Sequence, residues 1–128
     1  MAKISPQLQD QLMKLQQVQQ QVELLVNQRM QLERESKEID RAIAEIDQLE
    51  SADAVVYKTI GAILIKADKD KVKEELTERK ETLEMRVKTI TRQEERAKSD
   101  YESKRKTLQT ALQQSKMGDT GEEFPGPM

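Results

Sequence analysis

From Leu8 onward, apolar residues return at alternating spacings of three and four. Leu8, Leu15, Val22 and Ile43 take position a of a heptad, and Val18, Leu25, Leu32, Ile39 and Ile46 take position d. Nine of the thirteen a and d sites from Leu8 to Glu50 are apolar, the exceptions being Gln11, Arg29, Ser36 and Glu50. So narrow a stripe predicts a coiled-coil helix over about 6–50. Its start has a mechanism: Ser5 can cap the first free amides, and Pro6 suits the first helical position, where no amide donor is needed. The pattern returns in the far half, with Val87, Tyr101 and Leu108 at a, and Leu76, Leu83, Ile90, Ala97 and Ala111 at d. Eight of the twelve sites from Lys73 to Ala111 are apolar, which predicts a second helix over about 70–114, capped by Asp68 or Asp70 and ending by Gly118 at the latest.

Each tract holds about 43 residues, or roughly 65 Å of helix at 1.5 Å per residue. Matched lengths favour an antiparallel hairpin in which residue numbers summing to about 120 lie opposite. That register sets Ile43 near Leu76, Leu32 near Val87, Val18 near Tyr101 and Leu12 near Leu108. It gathers both chain ends at one end of the hairpin. Arg29 and Glu94, both at a, would then lie within about a helical turn of each other; they either pair across the seam or reach past it to solvent, as long side chains do.

Between the helical tracts the pattern changes. The stretch "VVYKTIGAILIK", residues 55–66, is rich in β-branched residues and carries eight apolar residues in twelve. With Gly61 and Ala62 as a two-residue type II′ turn, Ile60 faces Ile63 and Lys58 faces Ile65. An apolar interhelical loop and a buried helical segment are the alternatives; surface loops seldom carry so many apolar residues. A lone two-stranded ribbon is marginal in water and leaves backbone donors and acceptors open at its edges. No third strand is on offer in this chain, so pairing with the same element of other subunits, as a larger sheet or closed barrel, is its natural completion.

Composition narrows the classes. Of 128 residues, 35% are hydrophobic and 36% charged, with one Phe, two Tyr and no Trp, so a thick globular core is not expected. A net charge of −2 and sustained periodicity argue for extended helices rather than disorder. No apolar run is long enough for a membrane span and the start, "MAKISPQLQDQ", lacks a secretion signal's apolar core, so a cytoplasmic location is expected.

Catalysis has little to work with. There is no His, no Cys, no GxxxxGK[ST] phosphate loop and no spaced set of metal ligands, so neither an enzyme nor a cofactor or metal is expected. The carboxylates alternate with Lys and Arg, as in "KEELTERKETLEMR", in the manner of a solvated helix face. "KADKDKVK" and "SKRKT" are basic, but a pI of 5.4 and the scarcity of aromatic residues speak against nucleic-acid binding. A structural coiled-coil scaffold or adaptor for one folded partner stays open on the residues alone, as does a binder of many unfolded chains.

The "VYKTIG" run at residues 56–61, "RQEER" at 92–96 and the helix, hairpin, helix layout over about residues 5–114 resemble the β subunit of archaeal-type prefoldin, also called GimC. A single β-hairpin resembles the β type rather than the α type. The resemblance implies a single domain over 1–116 that is mainly α, an antiparallel two-helix coiled coil whose short central β-hairpin assembles into an oligomeric β-barrel platform. It implies a hexamer of two α-type and four β subunits, an ATP-independent chaperone that holds unfolded polypeptide at the coiled-coil tips and delivers it to a group II chaperonin. The tips correspond here to Leu8, Leu12, Leu15, Leu108, Ala111 and Leu112, and the oligomerisation hairpin to Val55, Val56, Tyr57, Ile60, Gly61, Ile63, Leu64 and Ile65. The alternative for the same six residues is that they simply zip the helix ends together, and both roles are compatible; Leu12, at e, lies off the strict seam. The tail "KMGDTGEEFPGPM" matches nothing in that family and reads as disordered over 117–128; Met117 and Phe124 either extend the client surface or belong to an inert tail.

Overall fold

The computed structural model describes residues 5–49 and 53–123, and their order of elements is α1 (Pro6–Asp47), β1 (Val56–Ile60), β2 (Ile63–Ala67) and α2 (Lys69–Glu123). Helix α1 begins as its cap dictates: the Leu8 amide donates to Ser5 Oγ at 3.1 Å, and the Gln9 amide to the Ser5 carbonyl at 2.9 Å. It stops at Asp47, short of the expected 50. There the Gln48 amide is shared between the Ala44 and Glu45 carbonyls and the Leu49 amide turns back to Ile46, a tightening typical of a helix end. Glu50 lies outside the described residues. Lys69 Nζ reaches the Leu49 carbonyl at 2.6 Å, placing a cation where the helix leaves carbonyls unpaired.

Helix α2 is capped by Asp68, whose Oδ1 accepts from the Asp70 amide at 3.1 Å and whose carbonyl accepts from Val72 at 2.9 Å. Its far end corrects the sequence reading. The helix continues to Glu123, past the expected 114 and through most of the tail read as disordered. Gly118 and Gly121 lie within it; glycine costs a helix only about 1 kcal/mol relative to alanine and does not break it. Phe124, named as a possible client contact, lies outside the described residues.

Among the described residues the chain divides into two compact units, one formed by the stretches up to Val26 and from Arg92, the other by Asn27–Thr91. In the second, α1 and α2 are joined across their faces by Asp40 to Lys80 and by Asp47 to Lys73, both at 2.5 Å, and by Glu35 to Arg79. The first two pairs each have numbers summing to 120, the register expected for antiparallel helices. Ile39, Ile46, Val72 and Leu83 are buried there. In the first unit, one surface groove is lined by Gln19, Val22 and Glu23 of α1 with Lys98, Tyr101 and Glu102 of α2, in that same register. Leu8, Val18, Leu25, Ala97 and Leu108 form its core.

Every described a and d position of both heptad tracts is buried or half-buried. That includes the polar ones. Arg29 is half-buried and donates to Glu33 at 3.2 Å, while Glu94 is only 4% exposed and accepts from Lys98 at 3.0 Å. Reaching past the seam to solvent is thus not what Glu94 does. Val72, one position ahead of the register that begins at Lys73, is a core residue the heptad count omits.

Candidate functional site

The two sets of residues singled out from the sequence fall one in each unit. In the hairpin, β1 and β2 pair antiparallel with Ile60 opposite Ile63, Lys58 opposite Ile65 and Val56 opposite Ala67. Gly61 has φ +60° and no other described residue has positive φ, so the turn takes a left-handed first residue followed by an ordinary Ala62, which is the type II′ pattern. An L side chain rarely adopts that backbone, and glycine does so freely.

Side chains alternate between the two faces of a ribbon. Val56, Lys58, Ile60, Ile63, Ile65 and Ala67 share one face, and Tyr57, Thr59, Leu64 and Lys66 the other. Of the eight hairpin residues singled out from the sequence, seven are exposed, Leu64 the most among the large apolar ones at 69%, and Val56 is half-buried. Both faces therefore present large apolar side chains to solvent, and with only two strands each has an outer edge of backbone donors and acceptors. Lys58 reaches across to α2, with its Nζ 3.2 and 3.3 Å from the two carboxylate oxygens of Glu75. This ion pair ties β1 to the early turns of the helix.

The six residues named at the tips belong to the other unit, where the structure sorts them. Leu8 and Leu108 are buried and Leu15 and Ala111 half-buried, so these four serve the seam. Leu12 and Leu112 are 40% and 44% exposed and are the two that face solvent. Met13, next to Leu12 and more exposed than it, was not singled out from the sequence, because the heptad count ranks only seam positions. Gln11, at a d position nearby, has its Oε1 buried with no hydrogen-bond partner among the described atoms.

The surrounding charges are mostly paired along the helix. Asp100 and Lys104 lie 2.7 Å apart, and Glu102 and Arg105 2.5 Å. The Arg105 hydrogen bond holds the Glu102 carboxyl below its ordinary range, and the Asp40 hydrogen bond raises the Lys80 ammonium above its own. Among the described residues no cluster of acidic side chains could hold a metal ion, and no helix is long and apolar enough to cross a membrane.

Two long helices with a heptad seam, joined by a short antiparallel β-ribbon, define a coiled-coil protein with a β-hairpin insert. The sequence pattern of the prefoldin subunit family matches residues 9–115. The chain is 46% identical to prefoldin subunit beta of Methanococcoides burtonii and 40% identical to that of Methanosarcina acetivorans, in each case over 87% of this chain and 94% of the relative. Its fold matches the crystal structure of the prefoldin beta subunit from Thermococcus strain KS-1 with a TM-score of 0.77 and 40% identity, covering 88% of this chain and 97% of that one. The chain belongs to the prefoldin subunit family, a family of chaperones, and its relatives are of the β type.

Proposed function

We propose that this chain is the β-type subunit of a cytoplasmic, ATP-independent holdase that binds non-native polypeptides at its coiled-coil tips and passes them to a group II chaperonin. Its partners are an α-type subunit, two of them with four of this chain, and unfolded clients of many sequences. The observation that carries the reading is the hairpin: Ile60, Ile63 and Ile65 on one face and Tyr57 and Leu64 on the other are exposed on a ribbon with both edges open. Burying that surface between subunits offsets the loss of freedom on assembly and supplies the missing strand partners. A platform built there leaves the helices free to present Leu12 and Leu112. Several such weak apolar contacts, one from each subunit, hold a client firmly in sum while each stays reversible.

The test is light scattering as a chemically unfolded, unrelated protein is diluted into ATP-free buffer containing this chain assembled with its α-type partner. Suppressed scattering, followed by release of the client when a group II chaperonin is added, is expected. Undiminished scattering from an intact assembly would reject the holdase and favour a scaffold that joins one folded partner.

A further inference from the structure

Helix α1 carries a second surface that neither the seam nor the hairpin uses. Met13, Gln16, Gln17, Gln20 and Leu24 succeed one another at spacings of three, one, three and four, which lays them along one side of a helix. They occupy b, c and f positions, on the side turned away from the seam, and all five are exposed, Met13 and Leu24 at 58% each. No charged residue occurs from Leu15 to Val22, the two just before, Asp10 and Lys14, neutralise each other at 3.1 Å, and Glu23, an exposed b position beside Leu24, is the one charge at the far end of the stripe.

The same helix shows how unusual this is. Residues 15–32 include two charged side chains, Glu23 and Arg29, whereas residues 33–47 include nine. Helix propensity does not ask for Gln here, since Glu, Lys and Gln serve an exposed helix equally well. Solubility favours charge. A neutral stripe with a Met and a Leu exposed at its ends therefore has no structural return within the unit.

We propose that this stripe is a docking surface for an extended segment of non-native polypeptide, lengthening the contact made by Leu12 and Leu112; it rests on the holdase reading above. An unfolded chain offers unpaired backbone N–H and C=O groups, apolar side chains in no fixed order, and a net charge of either sign. Each glutamine amide both donates and accepts, so Gln16, Gln17 and Gln20 can serve such a backbone in either direction. Met13 and Leu24 supply apolar contact, the thioether adapting to different shapes. With Glu23 as the one charge beside it, the stripe admits acidic and basic segments alike and the contact depends only weakly on salt.

The test uses the full assembly and, as probe, reduced and carboxymethylated α-lactalbumin, an acidic chain that stays unfolded. Its dissociation constant is measured at about 50 and about 500 mM salt. The unmodified chaperone should show nearly the same value at both. The double substitution M13E/L24E should weaken binding about tenfold, and Q17E/Q20E should weaken it at low salt and recover at high salt. These sites are exposed and Glu keeps helix propensity, so helicity and native mass should hold; E38Q, on the charged part of α1, serves as the control and should match the parent. Unchanged affinity in both double variants, beside a parent that binds, overturns the stripe and leaves the holdase standing. A parent affinity that falls steeply with salt overturns the stripe as well, and so does a reduced native mass in either variant, which would assign it to subunit contacts. A parent that binds no unfolded chain at all overturns both readings.

Discussion

Lys80 Nζ lies 2.5 Å from Asp40 Oδ1, a contact between the two helices of one unit that matches their antiparallel register. Asp47 and Lys73 repeat it seven residues along α1 and seven back along α2. A slip by one residue would break both pairs and turn the a and d side chains off the seam. Each pair is exposed and weak on its own. Together they favour the register that the apolar stripe already sets.

The first prediction concerns pH. Asp40 raises the Lys80 pKa, so that contribution is complete below the ordinary lysine value and is lost as pH rises through the folded one. Arg105 lowers the Glu102 pKa, so that contribution is present above the ordinary carboxylate value and is lost as pH falls through the folded one. The chain has no histidine, the side chain that ordinarily titrates between them. The melting temperature followed by circular dichroism should be flat from about pH 5.5 to about 9 and fall gently outside that window. An inflection near neutrality would contradict this assignment.

Gly61 sets the hairpin turn through its φ of +60°. Nothing lies within 4 Å of where a Cβ would stand, so Gly61→Ala meets no steric obstacle and its cost is that of the backbone alone, about 1 kcal/mol. Sedimentation at falling protein concentration should show the assembly dissociating at several-fold higher concentration than the parent. Equal midpoints would mean the turn is not strained by alanine.

Ile60 and Ile63 are cross-strand partners on one exposed face. Replacing both with lysine puts like charges directly opposite and removes the apolar surface that assembly would bury. Native mass spectrometry should find the variant largely as single subunits, with helical content by circular dichroism preserved. An unchanged native mass would reject the hairpin as the site of assembly.

Gln11 is the weak point of the seam near the start of α1, its Oε1 buried with no hydrogen-bond partner among the described residues. Gln11→Leu removes that orphan and completes the d stripe beside Leu8 and Leu15. Stability should rise by about 1–2 kcal/mol, and amide exchange around residues 8–15 should slow. A destabilised variant would show that the amide holds a role the apolar side chain cannot fill.

How far these features could be read from the sequence depends on the physics behind each. The seam was legible because a 3.5-residue repeat permits one buried face, and even its polar members, Arg29 and Glu94, are shielded where the count placed them. The hairpin register was legible because one glycine in a β-branched run leaves little choice of turn. The end of α2 was not, since Gly118 and Gly121 weaken a helix without ending it. Val72 escaped because it lies outside the a and d positions, and Met13 because periodicity ranks buried sites and is blind to exposed ones. Which tip residues face solvent depends on the three-dimensional packing of the two helices, which a heptad count treats as uniform.

That sorting of the tip yields the last prediction. Leu12 and Leu112 are exposed, whereas Leu8 and Leu108 are buried. Changing the exposed pair to serine gives up only part of a buried side chain at each site, so stability should fall by about 1 kcal/mol or less for each residue and the native mass should not change. Changing the buried pair to serine opens the seam at about 2 kcal/mol or more for each residue. If client capture is made by the solvent-facing leucines, suppression of aggregation should fall several-fold in the first variant, since each subunit of the assembly loses a contact and multivalent binding multiplies the losses. If capture instead requires the helix ends to part and expose the seam, the first variant should retain full activity and the second should change it. Comparing the two by light scattering at equal assembly concentration, with thermal melts of each, separates a surface that binds as it stands from one that must open first.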